Sequence, residues 1–151
     1  MEQKISPASP KQKNTTSVHS LLPLFLIFLM IFSPSSYSEA LTASQKLKQI
    51  SYFSIGFNGF AGGESDGEKY YREILGLNNA KALFIDIATD RKATSEARLY
   101  AACGLKSLSY NDMDKLFFDT KKNTVTVLKG DVLRRYLFLD VYSAVRKHGC
   151  E

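Results

Sequence analysis

The run LLPLFLIFLMIF, from Leu21 to Phe32, is apolar and uncharged throughout, and it decides how much of the chain is left to build a fold. A bilayer-spanning helix needs about 20 apolar residues. This block is shorter and contains Pro23. Lys4, Lys11 and Lys13 stand before it as a positive region, and SPSSYSEA follows with small residues at Ser38 and Ala40. Positive, apolar, then small is the order of a secretory signal peptide. The expected organisation is a signal peptide over residues 1–40, cleaved after Ala40 or after Ser38, and a single exported domain over residues 41–151. A retained membrane anchor is the competing expectation. No cysteine lies near the cleavage site, which argues against a lipid-anchored form.

A domain of that length buries one core, small enough to profit from a covalent staple. Cys103 and Cys150 both lie beyond the signal segment. In an oxidising compartment two thiols most simply form one disulfide. Closing a loop of this size is worth about 4 kcal/mol in the chain-entropy account. The alternative is a buried, apolar Cys103 and a free thiol at Cys150. Catalysis by either is a poor fit, because Cys103 sits in an apolar Ala-Ala-Cys-Gly-Leu run and His148 lies too near the terminus to hold a geometry with Cys150. The formal charge of +5 is spread along the chain rather than gathered on one element, so nucleic acid is not an expected partner.

Helical spacing dominates what remains. Leu47, Ile50 and Phe53 suggest a first helix over residues 42–54. Ser65-Asp66-Gly67-Glu68 has the form of a capping box, in which Ser65 accepts from the Glu68 amide and the Glu68 side chain reaches back to the Ser65 amide. Tyr70, Tyr71, Ile74 and Leu75 continue that helix until Gly76 stops it. Asn78 can cap a third helix with Ala82, Leu83, Ile85 and Ile87 on its apolar side. Thr94 or Ser95 starts a fourth, with Glu96 in its first turn and Ala97, Tyr100, Ala101 and Leu105 facing inward. The small residues Ala101, Ala102, Cys103 and Gly104 would let a neighbouring helix come close. SYNDMDKLFF is expected to form one more short helix. Thr124–Val127 then alternates as a strand does, and Phe117–Thr120 is the segment expected to fold back on it. Asp131 would cap a last helix carrying Leu133, Leu137, Val141, Ala144 and Val145 on one face, its basic last turn suiting the helix dipole. The fold class is therefore mainly α: short packed helix pairs, like a fragment of a solenoid, with a small β-hairpin or extended strand before the C-terminal helix. The units are too few for a repeat array.

Five of the nine glycines fall between Gly56 and Gly67. Gly56, Gly59 and Gly62 precede a helix, but the spacing misses the dinucleotide and P-loop patterns, and Glu64, Asp66 and Glu68 would repel a phosphate. Those three acids alternate without the rest of a calcium loop. Beyond the signal segment the only histidine is His148, so no metal and no cofactor is expected. Two carboxylates suffice for glycoside hydrolysis, which makes Glu64 and Glu68, with Asp66 in support, the candidates if the protein is a small envelope hydrolase. A third possibility is an interaction loop of Ile55, Gly56, Phe57, Gly59, Phe60, Gly62 and Gly63, entering a partner's groove or a membrane surface. The favoured reading is plainer: Phe57 and Phe60 pack into the core, while the glycines turn the chain between helices.

Phe53-Ser54-Ile55-Gly56, Gly59, Ala61-Gly62 and Ser65-Asp66-Gly67-Glu68 fit the pattern F-x-x-G-x-x-G-x-A-G-x-x-S-x-G-E. Leu99–Leu105 fits L-Y-A-x-C-G-L. Together they resemble a group of uncharacterised exported bacterial proteins, largely helical and without an assigned activity. The resemblance implies export and a helical fold, and supplies no catalytic residue. The group tends to carry a Gly-Cys pair where this chain has Gly130-Asp131, so it leaves the partner of Cys103 open. The functional expectation is a non-enzymatic binding or structural module of the bacterial envelope, whose partner is another envelope or secreted protein.

Overall fold

A computed structural model describes residues 35–58 and 62–150. The expected signal segment up to Pro34 lies outside the described residues, as do Gly59 and Phe60 of the glycine-rich loop. The order of elements is α1 (Ser35–Lys48), α2 (Asp66–Leu75), α3 (Ala80–Thr89), α4 (Ser95–Ser107), α5 (Met113–Leu116), a 3-10 turn (Phe118–Thr120), β1 (Thr124–Lys129), β2 (Val132–Leu137) and α6 (Phe138–His148). The mainly helical fold and its hairpin before the last helix agree with the sequence.

α4 is the hub. Thr94 caps it, its hydroxyl accepting from the Ala97 amide at 3.1 Å, and every residue from Glu96 to Leu105 is buried. α2, α3, α6 and β1 all pack against it. The small-residue run does what its composition predicts: a side chain at Gly104 would overlap the Phe84 ring of α3. Cys103 is bonded to Cys150, with the two Cα atoms 5.6 Å apart, and this bridge ties the end of α6 to the middle of α4. Buried Arg98 donates to Asp119 and to the Thr120 hydroxyl, and to the Asp90 carbonyl at the end of α3, so α4 also fixes the 3-10 turn.

Several expectations need correction. α1 ends at Lys48 rather than Ser54. Thr94 captures the chain there, its amide bonding the Lys48 carbonyl and its hydroxyl the Ile50 carbonyl at 2.6 Å. Phe53 then runs extended beside β1, donating to the Thr126 carbonyl and accepting from the Leu128 amide.

α3 buries Ala80, Phe84, Ile87 and Ala88, so of the anticipated face only Ile87 is fully inward, while Ala82 is exposed. Nearly every position of AKALFIDIAT is apolar or small, and the gap at Gly104 selects Phe84. Its N-cap is Asn79, not Asn78, and no side chain caps it.

The largest difference lies before α6. Asp131 does not cap a helix; Gly130-Asp131 is a two-residue hairpin turn with Gly130 at φ +60°. Val132–Leu137 is β2, antiparallel to β1 from Thr124↔Leu137 to Lys129↔Val132. Phe117–Thr120 forms no strand. Phe117 is instead buried against the rings of Phe138 and Tyr142. α6 begins at Phe138 and buries Phe138, Tyr142 and Val145, so Leu133, Leu137 and Ala144 lie outside the core.

Candidate functional site

The glycine-rich loop is anchored from below by two buried groups. Tyr100 of α4 is wholly buried, and its hydroxyl donates to the Ser54 carbonyl at 2.7 Å while accepting from the Ser54 amide at 2.9 Å. The Ser65 hydroxyl stands 3.2 Å away. Burial pushes the Tyr100 phenol up to about 12, so it remains a neutral hydroxyl. Glu68 is the second anchor, with its side chain only 1 % exposed. Its Oε2 accepts from the Gly56 amide at 2.8 Å, and its Oε1 accepts from Arg72 Nη2 at 2.7 Å and Nε at 3.2 Å. A buried carboxylate needs such partners, since an unpaired one is costly. Ser65 caps α2 as anticipated, accepting from the Glu68 amide at 3.1 Å. The other half of the capping box is replaced, because Glu68 turns to Gly56 rather than to Ser65.

Glu64 and Glu68, the candidate acid and base, are indeed neighbours, but through one guanidinium. Arg72 Nε also lies 2.7 Å from Glu64 Oε1. The two acids line a cleft of about 380 Å³ with Gly56, Phe57 and Arg72. Asp66 does not join them; it is exposed and pairs with Lys69. A general acid or base must reach a substrate proton, whereas Glu68 spends its oxygens on Gly56 and Arg72. The arrangement is a clamp on the loop.

Above the clamp the loop closes on itself. The amides and carbonyls of Asn58 and Gly63 exchange bonds of 2.9 Å, and the Asn58 side chain donates to the Gly56 carbonyl. Gly56, at φ +86°, is the reason that Ile55 and Phe57 part company. In an extended chain residues two apart face the same way; here Ile55 packs on the core and Phe57 is 85 % exposed. The expectation of a core role for Phe57 is therefore corrected. Gly62 also has positive φ, and Gly63 is exposed.

The hairpin offers the larger surface, and its hydrogen-bond parity shows which edge is open. The Phe138 amide bonds the Asn123 carbonyl, which continues the β1–β2 ladder by one pair. Pairs alternate between bonded and non-bonded in an antiparallel ladder. Val132, Arg134 and Tyr136 thus bond inward to β1, while Leu133, Arg135 and Leu137 point their amides away from it. The same parity on β1 sends Thr126 and Leu128 outward, where Phe53 meets the Thr126 carbonyl and the Leu128 amide, and the Glu96 side chain takes the Thr126 amide. β1 is covered on both edges. Among the described residues nothing bonds the outward amides of Leu133, Arg135 and Leu137. All six residues of β2 are exposed, including Val132 (50 %), Leu133 (58 %), Tyr136 (41 %) and Leu137 (50 %).

Sequence reasoning read this segment as helix and missed it as a site. The available signal was Gly130-Asp131, a two-residue turn pair, between the alternating Thr124–Lys129 and a second strand-length run, Val132–Leu137. Comparison of the chain with protein families, with curated proteins and with solved structures finds no match.

Proposed function

We propose that this chain is an exported, non-enzymatic binding module of the bacterial envelope, and that it engages another envelope or secreted protein through β2. The observation that carries the reading is the state of that strand: an open sheet edge with four large, exposed apolar side chains. Folded proteins usually blunt such an edge or use it, and exposed apolar patches mark interaction sites. Export is supported by the Cys103–Cys150 bridge, which suits an oxidising compartment. The test compares the affinity-tagged chain with its Leu133→Asp, Leu137→Asp double variant in envelope extract. The native chain should retain a specific protein and the variant should lose it, with an unchanged melting temperature. Retention of the same protein by both chains would refute the assignment to β2.

Exposed Phe57 favours a second reading, in which the loop rests on a membrane surface. Phe57→Ser should then release the protein from liposomes without unfolding it, since so exposed a ring contributes little to the core. Liposome binding equal to that of the native chain would end this reading.

A further inference from the structure

We infer that β2 receives an extended strand of its partner, one that sets two acidic residues opposite Arg134 and Arg135 and apolar residues beside Leu133, Tyr136 and Leu137. This rests on the protein-binding reading above and specifies the partner's chemistry. Three observations carry it. The first is the backbone: the outward amides of Leu133, Arg135 and Leu137 form a row spaced as a ladder requires, and nothing among the described residues covers them. Only another extended chain supplies donors and acceptors at that spacing.

The second is the distribution of apolar groups. Residues two apart share a face of a strand, so Val132 and Tyr136 lie on the side of buried Val125, while Leu133 and Leu137 lie on the opposite side with Leu128. A flat lipid surface could cover one of these sets and would leave the other in water. An added strand, whose own side chains alternate, reaches both.

The third is charge. Arg134 and Arg135 sit side by side at the centre of β2, one on each face, and among the described residues neither forms an ion pair. A second copy pairing antiparallel about the strand centre would set either Arg134 or Arg135 directly opposite the same arginine of its mate, because opposed residues share a face. Like charges directly opposite one another are destabilising. Two adjacent carboxylates on a foreign strand meet both arginines, one per face, with the bidentate geometry that guanidinium favours. The arginines thus reject self-association and select an acidic strand.

The experiment uses the full disulfide-bonded chain and a labelled ten-residue peptide of alternating valine and threonine with two central glutamates. Its comparators are the same peptide N-methylated at alternate residues, a version with two central lysines, and vesicles containing phosphatidylglycerol. The glutamate peptide should bind and slow hydrogen exchange at Leu133 and Arg135 at least tenfold, and N-methylation should abolish binding. Arg134→Glu with Arg135→Glu should weaken the glutamate peptide at least tenfold and transfer preference to the lysine peptide. Equal binding of the N-methylated peptide would overturn the inference. So would concentration-dependent dimerisation that protects the same two amides without peptide, or vesicle binding that depends on both arginines in the absence of peptide binding. If a natural partner is captured through Leu133 and Leu137 while the Leu133 and Arg135 amides stay unprotected, strand addition fails and the binding-module reading stands. If no partner is captured and no peptide binds, both fail.

Discussion

Replacing Tyr100 by phenylalanine removes one oxygen, and the structure sets what that should cost. The hydroxyl is the acceptor of the buried Ser54 amide and a donor to the Ser54 carbonyl. The carbonyl keeps a partner, because the Ser65 hydroxyl lies 3.3 Å from it. The amide has no other acceptor among the described residues, and an orphaned buried donor costs about 1–3 kcal/mol. The ring contacts with Phe53 and Tyr71, at centroid distances of 4.8 and 6.1 Å, survive the change. The expected loss is therefore about 2 kcal/mol, or roughly 8 °C of melting temperature for a domain of this size. Urea denaturation with the disulfide intact measures it. Tyr71→Phe is the matched control, since the Tyr71 hydroxyl meets the exposed Ser107 hydroxyl at 3.3 Å in a bond that is only partly buried, and about 0.5 kcal/mol or less is expected. Hydrogen exchange at Ser54 should accelerate only in the Tyr100 variant. If the two variants prove equally stable, the phenol is not what pins the loop.

Gly104→Ala should destabilise by about 1–3 kcal/mol by forcing the Phe84 ring aside, and adding Phe84→Leu should recover part of the loss; a neutral Gly104→Ala would contradict the close helix contact. Converting Cys103 and Cys150 together to alanine should cost about 4 kcal/mol in urea, given their separation of 47 residues. Reductant should reproduce the fall in the native chain, and a native chain indifferent to reductant would refute the bridge's part in holding α6. The Tyr142 hydroxyl and Arg146 beside Asp114 hold its carboxyl below the ordinary value. A lowered folded pKa gives stability that is present above the unfolded value, near pH 4, and lost as pH falls through the folded one. Asp114→Asn should thus lower stability at pH 7 and flatten the acid limb below about pH 4, and an unchanged limb would count against this pairing.

The helical frame was legible because capping chemistry is local. Ser65 and Thr94 each announce a helix start through a side chain reaching three residues ahead, and both caps form. The run Ala101–Gly104 announced close packing for the same reason: absence of side chain is visible in sequence. Tertiary competition was not. Lys48 and Ile50 end α1 because Thr94, far along the chain, takes their carbonyls. Leu133, Leu137 and Val141 fit a helical stripe as well as Leu133, Arg135 and Leu137 fit a strand edge, and only pairing with β1 decides between them. Glu68 shows the same limit at the candidate site. Its spacing from Ser65 identified a cap, but its side chain answers to Gly56, which the loop brings in from elsewhere, and to Arg72, one turn on in the same helix.

The most direct test of the binding-module account is a photo-cross-linking scan of the full chain in the envelope of its host. A cross-linkable residue is placed singly at Leu133, Arg135 and Leu137 on β2, at Phe57 on the loop, and at Lys81 and Ala82 on the exposed side of α3. The account predicts adducts to one and the same protein from the β2 positions and none from Lys81 or Ala82. Adducts confined to Phe57, or the same adducts from α3 as from β2, would contradict it.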